Sequence, residues 1–292
     1  MLVLNIIGCG RAGGSVASAL ARTGLVTIGQ VLNRSPSSTH RAVARLGAGD
    51  AVETIGAFSR PDVWLIATPD DSIGLMAQEL AARRPGLSGQ AVFHLSGRYG
   101  PGVLATAGDR GAETAAVHPV RSMPVHSTDV DQFRDTICIA EGSDAALRAL
   151  RSPFEASGAC WKEVKDLNRG LYHAALAIVS NVTKGVVWKA QKWLEQAGLE
   201  PEVAAQASHS LLSITAADLN REGARQSITG PVVRGDTSTV EAHLGALQSL
   251  GAHDTDVYRI LALTVLDLAN ERGNLDDQTL RRFDELLGGG KS

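Results

Sequence analysis

A glycine-rich turn near the amino terminus constrains the fold of this chain more than any other feature. The apolar run Val3–Ile7 is typical of a buried strand, and a helix is predicted at Gly13–Thr23. The turn that joins them has the spacing Gly-x-Gly-x-x-Gly and comprises Gly8, Cys9, Gly10, Arg11, Ala12 and Gly13. Bare backbone N–H groups and the helix dipole can hold a pyrophosphate at such a turn. The motif therefore predicts a dinucleotide-binding unit, and the alternative is a tight turn without a ligand.

The end of the second predicted strand, Thr27–Leu32, bears on which dinucleotide would bind. The next residues are Asn33, Arg34 and Ser35, so no Asp or Glu stands where one would bind the ribose 2′-hydroxyl. An arginine at this point can instead pair with a 2′-phosphate. We therefore predict NADP(H) rather than NAD(H), the alternative being that Arg34 is a solvated loop residue.

Short β-branched runs alternate with helical stretches as far as about Cys160, which is the pattern of a parallel sheet covered by helices. The further predicted strands are Val63–Ala67, Ala91–Leu95, Ala115–Val117 and Thr136–Ala140. After the first of these, Thr68 is a possible helix N-cap and Pro69 the first helical residue. Because ligands bind at the carboxyl ends of strands in such sheets, Thr68 and Pro69 are predicted to contact the cofactor.

Two later strand ends carry candidate catalytic side chains. Ser96 follows one predicted strand and His118, with Pro119 after it, follows the next, so both should project at the carboxyl edge of the sheet. Hydride delivery to a carbonyl leaves an alkoxide, and a histidine with a pKa near 6.5 can protonate it. Ser96 could position or relay that proton. The alternative is that His118 binds backbone at a turn made rigid by Pro119, and His94 inside the strand is expected to be structural.

The strand pattern fades after about Asp166, and the rest of the chain is predicted to be helical. We therefore predict a dinucleotide-binding domain at 1–166 and an all-helical substrate and dimerisation domain at 167–292. The predicted helices are Asn168–Ala197, Pro201–Thr215, Ser238–Leu250, Asp254–Arg272 and Asp276–Leu287. The spacing of Ser238 and Glu241 suggests a capping box.

A polar stripe on the first of these helices predicts a substrate site. His173, Ser180 and Lys184 fall on one face of a regular helix, and Asn181 borders that face. We expect His173 and Asn181 to be catalytic and Ser180 and Lys184 to contact substrate in a cleft that Tyr172 also lines and that faces the first domain. The alternative is that Lys184 reaches water and the others satisfy one another inside a dimer core.

The loop at 229–236 is rich in Gly, Pro and charged residues, and such loops commonly carry function. Arg234 can bind a substrate carboxylate or a cofactor phosphate bidentately, and Asp236 could hold it in place. The alternative is an Arg–Asp pair that stabilises the start of a helix.

Composition excludes several other functions. The 28 Lys and Arg are balanced by 31 Asp and Glu, so we expect no nucleic-acid partner. The three cysteines lack metal-ligand spacing, which predicts neither a metal site nor a disulfide framework. No stretch reaches 18 apolar residues, so we expect a cytoplasmic protein without a membrane partner. The first lysine is Lys162, so the first half supplies no lysine base.

These motifs resemble one bacterial family, which joins a Rossmann-like domain to the domain of unknown function DUF2520 and is described as NADP oxidoreductases. The resemblance spans nearly the whole chain and rests on the glycine turn, on His118-Pro119, on Tyr172-His173 with Ser180-Asn181, and on the segment 229–240. The family is similar to ketopantoate reductase, β-hydroxyacid dehydrogenases, pyrroline-5-carboxylate reductase and prephenate dehydrogenase. These relatives imply an α/β fold, a Rossmann-type doubly wound and mostly parallel sheet, followed by an all-helical 6-phosphogluconate-dehydrogenase-like domain.

The resemblance also implies a homodimer formed through the C-terminal helices. Ser96 and His118-Pro119 resemble the prephenate dehydrogenases, whereas His173 stands near where the β-hydroxyacid dehydrogenases carry a lysine. From motifs and resemblance together we expect hydride transfer between NADP(H) and a small carboxylated hydroxy, keto or imine substrate bound between the domains. The alternative function is a non-catalytic NADP(H)-binding sensor or scaffold.

Overall fold

A computed structural model describes residues 1–84, 86–122 and 133–288 of the 292-residue chain. These residues form two compact units, 1–184 and 185–292, and each unit is described by itself. The predicted domain boundary after residue 166 stays a prediction.

The first unit is built on one mostly parallel sheet, which confirms the predicted fold class. Within the described residues the strands lie in the order β3-β2-β1-β4-β5-β6-β7-β8. Among the pairs that the described strands form, β6 with β7 is antiparallel and the others are parallel. The strands are β1 Leu2–Ile7, β2 Val26–Leu32, β3 Asp50–Ala51, β4 Val63–Ile66, β5 Ala91–His94, β6 Glu113–Pro119, β7 Ile137–Gly142 and β8 Cys160–Glu163.

Helices cover both faces of this sheet, which is why its central strands are continuously apolar. In β4, Leu65 packs into the core on one face, and Trp64 and Ile66 pack into the core on the other. The helices of this unit are α1 Arg11–Arg22, α2 Pro36–Leu46, α3 Asp70–Arg83, α4 Ala105–Gly108, α5 Asp144–Ala156 and α6 Arg169–Ala177. The strand order reverses between β1 and β4, and this switch point is where ligands bind in open α/β sheets.

Three local predictions differ from the structure. Strand β3 has only two residues and β8 has an exposed, polar sequence, so neither carries the apolar run on which strand prediction depends. Thr68 is not a helix cap, because α3 begins at Asp70 and its N-cap is Pro69. The Ser238–Glu241 capping box is also wrong, since the side chain of Asp236 accepts the hydrogen bond from the Thr239 N–H instead.

A π-helical turn, Ile178–Val182, follows α6 directly and leads into α7, Thr183–Gln196. The sequence predicted one regular helix over this whole region. Thr183 stabilises the turn by donating from Oγ1 to the Ile178 carbonyl at 2.9 Å. Turns of this type occur often at functional sites, and each one shifts the phase of the helix that follows.

The second unit is helical throughout its described residues, as predicted. Its helices after α7 are α8 Pro201–Glu222, α9 Ala224–Ser227, α10 Thr237–Gln248, α11 Ala252–Arg272 and α12 Asp277–Leu287. The largest buried side chain of its core is Phe283, which packs with Val240, Leu244 and Leu266. Across the described residues no helix has both the length and the apolar character needed to cross a membrane.

Candidate functional site

The glycine turn between β1 and α1 adopts a conformation that only glycine can supply at two of its positions. Gly8 has φ +93°, and a Cβ there would lie 2.7 Å from the backbone of Ala67 and Thr68. A Cβ at Gly13 would lie 2.4 Å from the Gly8 carbonyl oxygen. Gly8 therefore permits the tight turn, and Gly13 permits close packing of the helix on the strand.

Gly10 differs from both. It is the N-cap of α1, its φ is an ordinary −82°, and a Cβ built there would meet no atom within 4 Å. Neither strain nor packing requires glycine at this position. The open space beside Gly10, at a helix N-terminus, is a cradle into which a pyrophosphate fits.

Asn33 holds this turn against the second βα unit. Its Oδ1 accepts from the Cys9 N–H at 2.6 Å, and its Nδ2 donates to the Ser38 carbonyl at 3.0 Å. Arg45 donates from Nη2 to the Cys9 carbonyl oxygen at 2.9 Å. Both backbone polar groups of Cys9 are thus used within the protein, so Asn33 and Cys9 shape the turn, and their contacts with a cofactor stay predictions.

Arg34 and Arg11 offer positive charge beside the turn. Both side chains are exposed, and neither forms an ion pair or side-chain hydrogen bond with any residue that the structure describes. Ser35, after Arg34, is the N-cap of α2 and forms a reciprocal capping box with Ser38. A guanidinium next to a capped helix N-terminus can bind a phosphate.

Thr68 faces the same turn from the end of β4. Its Oγ1 is buried and has no hydrogen-bond partner among the described residues, which is costly for a hydroxyl. The Thr68 backbone lies against Gly8. The space at Gly10, the orphaned hydroxyl and the two arginines together fit a dinucleotide that carries an additional phosphate.

His118 lies at the carboxyl end of β6 and contacts the loop after β5 and helix α6. Its Nδ1 is 2.7 Å from the hydroxyl oxygen of Tyr172, and the two rings are nearly perpendicular at 86°. On the other side the imidazole lies against Gly97, where a Cβ would come within 2.9–3.1 Å of three ring atoms. The absence of a side chain at Gly97 therefore lets the imidazole occupy this position.

Burial keeps both histidines of this region neutral. Burial, and less strongly the neighbouring His173 and Arg169, lower the pKa of His118 to about 4, while Asp70 opposes them. Burial also lowers the pKa of His94 to about 4. His94 is structural as predicted, because it accepts from the Ser96 N–H at Nδ1 and contacts the Gly100 carbonyl through Nε2.

The hydrogen-bonding capacity of Ser96 is used within the first unit. Its hydroxyl donates to Asp70 Oδ2 at 2.9 Å and accepts from the N–H groups of Arg98 and Tyr99. The side chain is 6% exposed. This geometry favours the positioning role that the sequence allowed for Ser96 over the relay role.

A buried ion pair lies beside the ring of Tyr172. Arg169 donates from Nε and Nη2 to Glu141 Oε2, and the two side chains are 9% and 18% exposed. The guanidinium carbon lies 5.9 Å from the centre of the Tyr172 ring. The Nη1 atom of Arg169 is buried and has no partner among the described residues. A positive charge with an unused donor therefore sits beside the Tyr172–His118 pair.

The π-helical turn alters the predicted polar stripe. A regular helix would align His173 with Ser180 and Lys184, but one extra residue per turn shifts the later positions by roughly 100°. In the structure Ser180 is half-buried like Tyr172, whereas His173, Asn181 and Lys184 are exposed. The regular helix on which the stripe was based is thus interrupted, and the catalytic and substrate-binding roles of these residues stay predictions. Ser180 donates to Asn181 Oδ1 at 3.3 Å.

Arg234 lies in the second unit and is exposed, with no ion pair to any described residue. Asp236 does not form an ion pair with it. Instead Asp236 caps α10 by accepting from Thr239 and Ser238, and these hydrogen bonds hold the pKa of its carboxyl below the usual value. The predicted holding role of Asp236 is therefore wrong, and a role for Arg234 in binding an anion stays a prediction.

Sequence reasoning missed two residues of the site, Asp70 and Arg169. Asp70 lies in the first turn of α3, where acidic residues are common because they interact favourably with the helix dipole. Its presence there therefore did not indicate a contact with Ser96. Arg169 precedes Tyr172 by three residues, which places both on one side of α6. That spacing could have indicated the pair.

Comparison with known proteins matches both parts of the chain. Residues 1–119 match the Rossmann-like domain, and residues 136–265 match the domain of unknown function DUF2520. None of the curated proteins matches the sequence.

Solved structures share the fold at low sequence identity. The Thermotoga maritima protein TM1727 is 22% identical with a TM-score of 0.72, over 92% of this chain and 99% of that one. BF3122 of Bacteroides fragilis, described as a candidate NADP oxidoreductase, is 17% identical with a TM-score of 0.71, over 91% and 98%. An imine reductase from Myxococcus stipitatus in complex with NADP+ is 18% identical with a TM-score of 0.63, over 96% and 99%.

Proposed function

Because a Rossmann-like domain matches residues 1–119 and DUF2520 matches residues 136–265, we propose that this chain is an NADP(H)-dependent oxidoreductase. The observation that carries the proposal is that the three glycines of the turn are required for different reasons. Gly8 and Gly13 are required by the fold, whereas Gly10 has free space around it and is explained by a ligand. Structural neighbours that bind NADP support the same cofactor.

The cofactor would bind at the amino end of α1 and the carboxyl edge of the sheet. The pyrophosphate would lie at Gly10 and near Arg11, and the 2′-phosphate would lie at Arg34 and Ser35. Thr68 would gain a hydrogen-bond partner on binding. When bound, the nicotinamide supplies or accepts a hydride.

The substrate would be a small carboxylated hydroxy or keto compound or an imine. A solved neighbour that is named an imine reductase supports the imine class, and the exposed Arg234 supports an anionic group. The chain's own chemistry at the reacting atom would come from the His118–Tyr172 pair, with Asn181 and Ser180 orienting the substrate.

A thermal-shift titration with NADPH and NADH tests the cofactor. NADPH at about 100 times its Kd should raise the stability by about 2.7 kcal/mol, and NADH at the same concentration should do less. In Arg34→Asp the preference should disappear or reverse, because an acidic side chain repels the 2′-phosphate and accepts from a ribose hydroxyl. Equal shifts with both nucleotides in the unaltered protein would contradict the assignment to NADP(H).

Turnover is tested by following the loss of reduced nicotinamide absorbance with 1-pyrroline-5-carboxylate and a set of 2-oxo acids. A protein that binds NADPH tightly but transfers no hydride to any small molecule would instead be a nucleotide-binding sensor.

A second copy of the chain is proposed as the partner of the exposed helices of the second unit. Helix α8 has 22 residues, of which only Ala204 is buried, and it exposes Leu211, Ile214 and Val203. It borders an apolar groove of about 810 Å³ that Trp193 and Leu194 also line. Apolar surface of this extent is unusual on a monomer.

Light scattering on a size-exclusion column tests the homodimer. The unaltered chain should have twice the mass of one chain, and Leu211→Glu should lower the dimer fraction. A monomer at high protein concentration would contradict the proposal.

A further inference from the structure

The neutral state of His118 raises the question of which group exchanges a proton with the substrate. We propose that the hydroxyl of Tyr172, hydrogen-bonded to His118 Nδ1, is that group and that His118 connects it to solvent. The inference rests on the hydride transfer proposed above.

The geometry places one donor and one acceptor in series. Tyr172 on α6 and His118 on β6 come from different elements, yet their Nδ1 and hydroxyl oxygen lie 2.7 Å apart. Gly97 leaves room for the imidazole on its far side, and Arg169 with its partner Glu141 lies beside the phenol. The pair is therefore held from three sides, as a preorganised catalytic group requires.

The charges around His118 disfavour an imidazolium. The groups that face it are Arg169 and His173 from α6, Asp70 from α3 and His94 from β5. Burial, together with His173 and Arg169, lowers the pKa of His118 to about 4, so at pH 7 roughly one imidazole in a thousand is protonated. A neutral imidazole has one N–H proton and one nitrogen lone pair. It can therefore relay a proton, by giving one from one nitrogen and taking one at the other, but it is a weak acid by itself.

The Tyr172 hydroxyl supplies the proton that an imidazolium would otherwise give to the substrate. Burial raises the pKa of its phenol, while the nearby Arg169 opposes that rise and stabilises the phenolate that forms transiently. The phenol is thus protonated at neutral pH and lies next to a cation that compensates for the loss of the proton. Arg169 acts here as a positioning residue.

Each proton in the reductive direction can be followed. As the hydride reaches the substrate carbon, the π bond to oxygen or nitrogen breaks and its electron pair stays on that atom. The atom takes the proton from the Tyr172 O–H bond, the Tyr172 oxygen takes the proton from His118 Nδ1, and Nε2 takes one from solvent. The imidazole ends neutral with its proton on Nε2. The first tautomer is restored when Nε2 releases that proton to solvent, Nδ1 takes the proton of the Tyr172 hydroxyl, and the phenol oxygen takes one from solvent.

The test compares Tyr172→Phe with a matched control, Tyr258→Phe. In the second unit Tyr258 and His243 repeat the same geometry, with Nδ1 at 2.8 Å from the hydroxyl and rings at 86°. Each change removes one hydroxyl and keeps the ring, so each variant should fold. Tyr172→Phe should lower kcat for NADPH-dependent reduction about 100-fold or more with the Kd for NADPH unchanged, while Tyr258→Phe should keep kcat within a factor of about two.

Nitrogen-15 NMR of the imidazoles gives a readout that needs no substrate. Signals of His118, assigned with His118→Asn, should show a neutral ring at pH 7 whose tautomer balance changes in Tyr172→Phe and stays the same in Tyr258→Phe. A protonated His118 at pH 7, or identical His118 signals in Tyr172→Phe, would overturn the inference. So would a kcat within a few-fold of the unaltered enzyme in Tyr172→Phe, whereas failure to bind NADPH would count against the proposed function and leave the NMR result standing by itself.

Discussion

Replacing single glycines of the turn with alanine separates the needs of the fold from the needs of a ligand. In Gly10→Ala the new methyl group meets no atom within 4 Å and φ stays in the ordinary region. The loss of a favourable N-cap costs about 0.5–1 kcal/mol, and the stiffer unfolded chain offsets part of it. The variant should therefore unfold within about 1 kcal/mol of the unaltered protein.

Gly8→Ala should behave differently. The strain of φ +93° and the approach of the methyl group to 2.7 Å from backbone atoms each cost about 1–3 kcal/mol. The melting temperature should fall by roughly 5 °C or more. The melting temperature of Gly13→Ala should fall by a similar amount, because the new methyl group would lie 2.4 Å from a carbonyl oxygen.

The assay is the stabilisation by NADPH of each variant that folds. In the unaltered protein a concentration of about 100 Kd adds about 2.7 kcal/mol, and a 100-fold weaker Kd in Gly10→Ala would reduce this to about 0.4 kcal/mol. Gly86→Ala is the matched control, because Gly86 is exposed and a Cβ there would also meet open space. Gly86 precedes β5, so it lies before the amino end of that strand, whereas the glycine turn follows the carboxyl end of β1. A Gly10→Ala variant that binds NADPH as tightly as Gly86→Ala would refute the assignment of the cradle.

Three further predictions concern the centre around His118. Gly97→Ala should fold with a loss of about 1–3 kcal/mol but displace the imidazole from its contact, so that NMR titration finds the pKa of His118 rising from about 4 toward 6.5; an unmoved pKa would contradict this. Because the pKa of His94 is about 4 when folded and near 6.5 when unfolded, the unfolded chain binds the proton first, and stability measured by urea should fall by up to about 3 kcal/mol as the pH drops from 6.5 to 4. His94→Asn should lose this share of the pH dependence, and an unchanged slope would show that His94 is not its source. Glu141→Ala should cost about 3–5 kcal/mol in urea unfolding because it leaves the buried Arg169 unpaired, and Arg169→Met in the same chain should recover much of that loss; equal stability of the two variants would contradict the account.

Local patterns in the sequence were enough to predict the glycine turn, because its three glycines lie between an apolar strand and a helix that are adjacent in the sequence. The sheet and the helical second unit were predicted for the same reason, since period and composition repeat along each element. The short strand β3 and the polar strand β8 were not predictable in this way, because their pairing with β2 and β7 depends on neighbours rather than on their own residues.

The centre of the site depended on tertiary contacts. His118 and Tyr172 are 54 positions apart in sequence, and only the packing of α6 on the sheet joins them. The π-helical turn also escaped prediction, because the residues before it and after it each keep a helical period and only the phase between the two parts changes. The structural roles of Asn33 and Asp236 were not predictable, because the hydrogen bonds that each side chain forms with backbone N–H groups are seen only in the fold.

Deuterium transfer tests the central claim most directly. The protein is incubated with a small-molecule extract and NADPH carrying deuterium at both C4 positions of the reduced ring, and the products are analysed by mass spectrometry. The account predicts deuterium on carbon in a small carboxylated product, with the label lost in Gly10→Ala and greatly reduced in Tyr172→Phe. Tight binding of NADPH without label in any small molecule would contradict the oxidoreductase assignment.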